Sequence, residues 1–164
     1  MNTGIKNISL RSRLERVGLE SLALNAKFLN AKLDPKAPDK DAAWELYVEM
    51  LTRITTQPLM SEHGDETTAL ESVYSLFPAT REILKRQGRH CIEFTKIAVP
   101  VLNQIVRPFT TKWHRLKLEG AFRENEQCAE FRKELEALQQ DLKKYARLLA
   151  DIAEVEDLTE LEER

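Results

Sequence analysis

The sequence is poor in the residues that interrupt regular structure and in those that build chemistry. Only five of its 164 residues are Gly and six are Pro, which favours long unbroken elements. Two cysteines, Cys91 and Cys128, are too few for a disulfide framework. Both stand in apolar contexts and read as buried free thiols of a reducing cytoplasm. The three histidines, His63, His90 and His114, lack the spacing of a zinc site. Gly-rich phosphate loops, paired catalytic carboxylates and Ser-His-Asp arrangements are missing, so neither a metal nor a cofactor is expected. The opening Met1-Asn-Thr-Gly-Ile-Lys6 lacks the apolar core of a signal peptide. The most apolar stretch, 97–106, is interrupted by Pro100, Asn103 and Gln104 and is about half the length of a membrane span. A cytoplasmic chain without a membrane partner is the expectation.

What is present is helical periodicity. With 42% hydrophobic and 32% charged residues, the chain can bury a core without disulfides or metals. No internal repeat or linker divides it, so residues 1–164 read as one domain. From Cys128 an apolar seam runs through Phe131, Leu135, Leu138, Leu142, Tyr145 and Leu149 to Ile152. The alternating three-and-four spacing keeps one stripe of a helix facing a partner helix. Residues flanking the stripe are Arg132, Glu134, Gln139, Asp141, Ala146, Leu148, Ala153 and Val155. In a parallel dimer Glu134 would meet Gln139 and Asp141 would meet Ala146, pairs without opposite charge. Beyond Ala146 the flanks turn apolar, which suits a broad bundle-facing stripe. The seam is therefore predicted to pack within its own chain. Homo-oligomers remain open through another face, not through a parallel zipper of this helix.

Upstream, four further helices are expected. Ser12-Arg-Leu-Glu15 forms a capping box that opens an apolar face from Leu14 to Leu33. Residues 1–11 read as an irregular arm, with Ile5, Ile8 and Leu10 available to dock. Pro38 and Asp39 suit the first turn of a second helix, which runs through Ile54 to a stop at Gln57-Pro58. Thr68-Ala-Leu-Glu71 is a second capping box, opening a helix that Pro78 must kink or restart and that continues to Gly88. The fourth spans Arg89 to His114, kinked at Pro100 and broken or reset at Pro108. Gly120 precedes the long last helix. The fold class is all-α: a single-domain bundle of about five helices, one of them Pro-kinked, with the C-terminal helix as its spine.

Charge is unevenly placed. Residues 80–118 carry nine Lys or Arg against Glu82 and Glu93, whereas the tail 154–164 carries six acids against Arg164. Such blocks mark partners or pair with one another. Arg81, Lys85 and Arg89 recur at i+4 spacing with Arg86 alongside, and are expected to line one helix face. A phosphate backbone needs such a stripe, and Trp113 or Phe109 would stack a base. The candidates for contact with nucleic acid or a partner are Arg81, Lys85, Arg86, Arg89, Arg107, Lys112, Trp113 and Arg115. The small net charge of −2 favours a solvated or internally paired face. Ser61-Glu-His-Gly-Asp-Glu66 reads as a turn carrying a helix cap, lacking the ligand spacing of a calcium loop.

The densest constellation is Arg107-Pro-Phe-Thr-Thr-Lys-Trp-His114. Arg107 and His114, seven apart, share a helix face about two turns from each other. The pair resembles the Arg-x(4–6)-His signature of the HEPN family, small all-α domains that include metal-independent ribonucleases acting as dimers. That resemblance implies His114 in proton transfer at a scissile phosphate and Arg107 stabilising its charge. Pro108 stands where those enzymes usually carry a polar residue. A competing reading of the same residues is a cationic helix end whose Trp113 anchors on the core. The run from Leu102 to His114 is also similar to segments of small helical proteins encoded in bacterial conflict and antiviral operons. The function expected from the sequence is association: a non-catalytic accessory subunit with a protein partner. The HEPN-like ribonuclease and the basic nucleic-acid binder stand as alternatives.

Overall fold

A computed structural model of the chain describes residues 8–162. Its last helix, Asn125–Ala153 (α8), has 29 residues and is about 43 Å long at 1.5 Å per residue. The seam is its buried stripe: Phe131, Leu135, Leu142, Tyr145, Leu149 and Ile152 are each at most 1% exposed, and Leu138 is also buried. Cys128, at the N-terminal end, is only half-buried. Toward the other end Ala146, Leu148 and Ala150 join the buried set, the widening that a bundle interior requires. The partner is intramolecular. Ala37–Leu51 (α3) lies along α8, contributing Ala42, Ala43, Leu46, Tyr47 and Met50 to the common core.

All five expected helical segments are found; the first and third are divided, and the fourth is continuous but irregular. The first begins at Leu10, because Ser9 caps it by accepting the Ser12 N–H at 3.2 Å. This helix, Leu10–Val17 (α1), stops at Gly18 (φ +82°), whose left-handed backbone closes the C-terminus. A single helix from Leu14 to Leu33 therefore does not form. The chain instead turns, passes through the short Ala26–Asn30 (α2), and still buries Leu19, Leu22 and Leu33. Gln104 holds that turn, its amide exchanging two 2.8 Å hydrogen bonds with the Ala23 backbone. The predicted arm 1–11 ends at Ser9, where Ile8 O accepts the Leu33 N–H at 3.2 Å and Ala31 O accepts the Leu10 N–H at 3.1 Å. The docking expected of Ile5 lies outside the described residues, as do 163–164 of the acidic tail.

The third segment starts with Asp65, not Thr68, as its cap. The carboxylate accepts the Thr68 N–H at 2.9 Å and opens Glu66–Tyr74 (α4). After Ser75 the chain restarts as Leu76–Gln87 (α5) with Pro78 in the first turn, where a missing N–H leaves no bond unmade. The fourth segment is continuous but irregular. After a 3₁₀ turn, Gly88–Cys91, come Ile92–Val101 (α6), a π-helical turn Leu102–Val106, and Arg107–Leu118 (α7). The two prolines bracket the π turn, and Arg107 N–H reaches back five residues to Leu102 O. The wider turn relieves the crowding of a proline ring on the carbonyl four residues earlier. Pro108 thus does not break the rod.

Polar groups lock the elements together. Arg13, 3% exposed, pairs with Asp151 at 2.7 Å and fixes α1 to α8. The buried Asp39 carboxylate accepts the N–H of Lys36 (2.8 Å) and of Phe94 (3.0 Å), joining the N-termini of α3 and α6. The Gln139 amide donates to Ile54 O (2.6 Å) and Gln57 O (2.7 Å). Arg132 holds the 60–66 loop through Glu66 (2.6 Å), Met60 O (3.1 Å) and Gly64 O (2.8 Å). A Cβ at Gly64 would stand 2.1 Å from Leu59 Cδ1, so a larger residue there requires the Leu59 side chain to move. Among the described residues no helix is long and apolar enough to cross a membrane.

Candidate functional site

Helix α7 turns two faces outward from its buried stripe of Phe109, Thr110 and Trp113. One meets α4 and the start of α5. There the His114 Nε2 lies 3.6 Å from the Glu71 carboxylate, which also takes Lys117 Nζ at 3.4 Å. The imidazole meets the Tyr74 ring edge-on at 5.1 Å between centroids. One aromatic further, Phe77 lies 5.6 Å from Tyr74 and carries the Arg107 guanidinium 4.7 Å above its ring. Arg107 also donates twice to Asn103 Oδ1, both at 3.1 Å. The structure thus brings Arg107 and His114 to one face, at opposite ends of a Tyr74–Phe77 pair. A carboxylate beside an imidazole can orient it, one element of the geometry general acid–base chemistry uses.

The second face of α7 meets α8. Trp113 is fully buried and its indole N–H donates to Glu134 Oε2 at 2.9 Å. Its ring packs against Phe122 and Phe131 at 5.9 and 5.1 Å, and Phe109 lies 5.4 Å from Phe131. Neither aromatic is available to stack a base, which removes that part of the nucleic-acid expectation. Lys112 is bound to Glu134 and, at 3.4 Å, to Glu130, and Arg115 to Glu119 at 3.2 Å. The hydrogen bond it donates to Glu134 raises the Lys112 ammonium above its ordinary range. Burial pushes the Glu134 carboxyl up, but hydrogen bonds from Lys112 and Trp113 together outweigh it, and its pKa falls below the ordinary value.

On α5, Arg81 and Lys85 are exposed at i, i+4 and make no ion pair among the described residues. Arg86 is drawn to Glu45 of α3 and to Glu82. Arg89 does not continue the stripe. It lies beyond Gly88, whose φ of +65° ends the helix, in the following 3₁₀ turn. The expected four-residue cationic face is therefore two free cations, one paired and one displaced. The acidic tail takes its cations from elsewhere: Glu154 from Lys40 (2.9 Å), and Asp157 and Glu160 from Arg147 (3.7 and 2.9 Å). No cluster of potential metal ligands occurs among the described residues. The 61–66 loop is a turn carrying a helix cap, with Asp65 as the cap, and Glu66 is the partner of Arg132.

A further surface escaped the sequence reading. Trp44 and Val48 stand one turn apart on the solvent side of α3, 46% and 39% exposed. Trp44 rests on the buried Tyr47, centroids 6.1 Å apart. A signal for it existed. The apolar face of α3 is accounted for by Ala43, Leu46, Tyr47 and Met50, so two large apolar residues lie off that stripe. Glu71, Tyr74, Asn103 and Glu134 were invisible in sequence, since only tertiary packing puts them beside Arg107, Lys112, Trp113 and His114. Compared with protein-family models, curated proteins and solved structures, the chain matches none of them.

Proposed function

We propose that this chain works by association, as a helical accessory or scaffold subunit that presents the solvent face of α3 to a protein partner. One observation carries the reading: Trp44, nearly half exposed, is held on the rigid ring of Tyr47 with Val48 one turn away. A preordered indole surrounded by polar residues has the character of an interface anchor, since aromatic side chains dominate the energetic centres of protein interfaces. Asp41, Glu45 and Glu49 supply the polar rim on the same helix. A setting in bacterial defence rests only on the resemblance of the Leu102–His114 run. The test is crosslinking with mass spectrometry of the wild type and of Trp44→Ala and Val48→Glu variants in the native host. The variants are expected to keep the melting temperature and to lose the same specific crosslink. A crosslink retained by both would remove α3 as the contact.

A ribonuclease reading is favoured by one specific observation, the His114–Glu71 approach on the face that also carries Arg107. Purified protein incubated with mixed RNA in metal-free buffer, alongside His114→Ala, separates the two. Cleavage that the variant loses would replace association with catalysis. Intact RNA in both samples would remove the nuclease.

A further inference from the structure

The outward stripe of α3 runs from Ala37 through Asp41, Trp44 and Val48 to Thr52 at its C-terminus, all of them exposed. Spacing by three and four keeps them on one face, so Trp44 and Val48 form a short apolar ridge between small or polar ends. On one side of the ridge, between α3 and α5, lies a cleft of about 320 Å³. Its charged lining is Glu45, Glu49 and Glu82 against Arg53 and Arg86. Both guanidiniums are engaged, Arg53 with Glu49 at 2.9 Å and Arg86 with Glu45 and, at 3.8 Å, Glu82.

On the other side runs the acidic tail. Helix α8 ends at Ala153, Glu154 turns the chain with φ +58°, and the tail then follows α3. Glu154 meets Lys40 at 2.9 Å, and the Leu158 N–H donates to the Tyr47 hydroxyl at 2.6 Å. Between those two fixed points Glu156 is exposed and makes no ion pair among the described residues, and the same holds for Asp41 on the ridge. Here too the cations are engaged, Lys40 by Glu154 and Arg147 by Asp157 (3.7 Å) and Glu160 (2.9 Å). Carboxylates exceed cations on both flanks, and each of these four cations already has its acid.

We propose that this face receives a basic amphipathic α-helix of a partner protein. Its apolar side packs on Trp44 and Val48, and its Lys or Arg residues meet the acids to either side. The inference rests on α3 being the interface and names what that interface recognises. Charge complementarity selects a basic occupant. An acidic segment would bring more carboxylate to flanks whose cations are spent, whereas a cationic one meets Asp41, Glu156 and the surplus acid of the cleft. Geometry selects a helix. The described residues hold no strand beyond the single bridge Ser9–Lys32, so an extended segment finds no sheet edge to join. A helix satisfies its own backbone and lays side chains at i, i+3 and i+4 along the ridge.

The test displays a library of helical peptides matched to the length of α3 to the full-length protein. Every peptide carries apolar residues at i, i+3, i+4 and i+7, and the remaining positions are randomised among Lys, Arg, Asp, Glu, Gln and Ser. The retained peptides are expected to be rich in Lys and Arg. By anisotropy they should bind Trp44→Ala about tenfold or more weakly, as loss of an interface anchor implies. Asp41→Asn/Glu156→Gln should weaken them roughly threefold, as exposed ion pairs do, and added salt should erode that difference. Retained peptides that need Trp44 but are neutral or acidic would overturn the proposal and leave α3 as the interface. Peptides that bind Trp44→Ala as well as wild type would remove α3 itself. Retention of no peptide would also overturn the proposal. So would self-association that Trp44→Ala abolishes in sedimentation equilibrium, which would give the face to a second copy of the chain. The substituted residues are all exposed, and circular dichroism confirms that each variant keeps its helix content.

Discussion

The indole N–H of Trp113 donates to the carboxylate of Glu134 across 2.9 Å, tying the buried stripe of α7 to the flank of α8. The Lys112 ammonium binds the other carboxylate oxygen. A carboxyl whose folded pKa lies below its ordinary value of 4.5 stabilises the fold above that value and loses the contribution as pH falls through the folded pKa. Urea unfolding of wild type and Glu134→Gln should therefore differ most at neutral pH. The gap is expected to close as pH drops below the ordinary value. A gap that stays constant with pH would assign Glu134 a packing role alone.

Arg13 and Asp151 are 138 positions apart in the chain and 2.7 Å apart in the fold. Asp151→Ala leaves a guanidinium buried without this counter-ion, and is expected to cost about 3 kcal/mol in chemical denaturation. The double change Arg13→Met/Asp151→Leu removes the charge along with its partner and should recover most of that loss. Hydrogen exchange should locate the effect of the single change in α1, the element this pair holds on α8.

Phe131 stands at the meeting point of Phe109, Trp113 and Phe122, with ring centroids between 5.0 and 5.4 Å from it. Phe131→Ala empties the centre of that cluster and should destabilise by about 3–5 kcal/mol. The denaturation midpoint is expected to fall with little change in slope. A loss under 1 kcal/mol would mean that the surrounding rings close over the gap.

Asp65 caps α4 through the Thr68 N–H, and its hydrogen bonds with Thr68 lower its carboxyl pKa. Asp65→Ala should cost about 1 kcal/mol, with Asp65→Asn or Asp65→Ser retaining most of the stability. Thermal unfolding of the three variants checks this, and a full loss in the Asn variant would argue against a cap.

Burial raises the Cys128 thiol above its ordinary value, and Cys91 is fully buried. A disulfide reagent at pH 8 should modify Cys128 more slowly than a free thiol and leave Cys91 untouched until the chain unfolds. Rapid labelling of both in the native protein would contradict that packing.

Much of the fold was legible because helical periodicity reports burial directly. The seam residues of α8 and the apolar set of α3 are where their spacing places them. Breaks within segments were less legible. Nothing local marks Gly18 as a left-handed terminus, since a glycine inside an apolar pattern is compatible with a continuing helix as well. Capping patterns misled twice for one reason: Ser12 and Thr68 donate N–H groups to Ser9 and Asp65, and the true cap lies three residues earlier. The candidate site was half legible. Arg107 and His114 do share a face, as seven-residue spacing demands, but their neighbours Glu71, Tyr74 and Phe77 come from α4 and α5. The cationic stripe failed at Arg89 because Gly88 turns the backbone before the third repeat.

By itself the sequence determined the class of object: an all-α chain whose last helix buries its seam against the same chain. Hydrophobic spacing suffices for that, since a stripe must be covered and its flanks lacked the charges of a zipper. Only the tertiary structure decided which polar groups are spent on the fold. Trp113, Lys112 and Arg107 carry the same side chains whether exposed or committed, and nothing local distinguishes the two. Packing of α7 between α4 and α8 commits them, while Trp44 stays outside on α3 and the acidic tail lies against Arg147 of α8. Those outcomes depend on contacts between residues far apart in the chain, which no local pattern encodes.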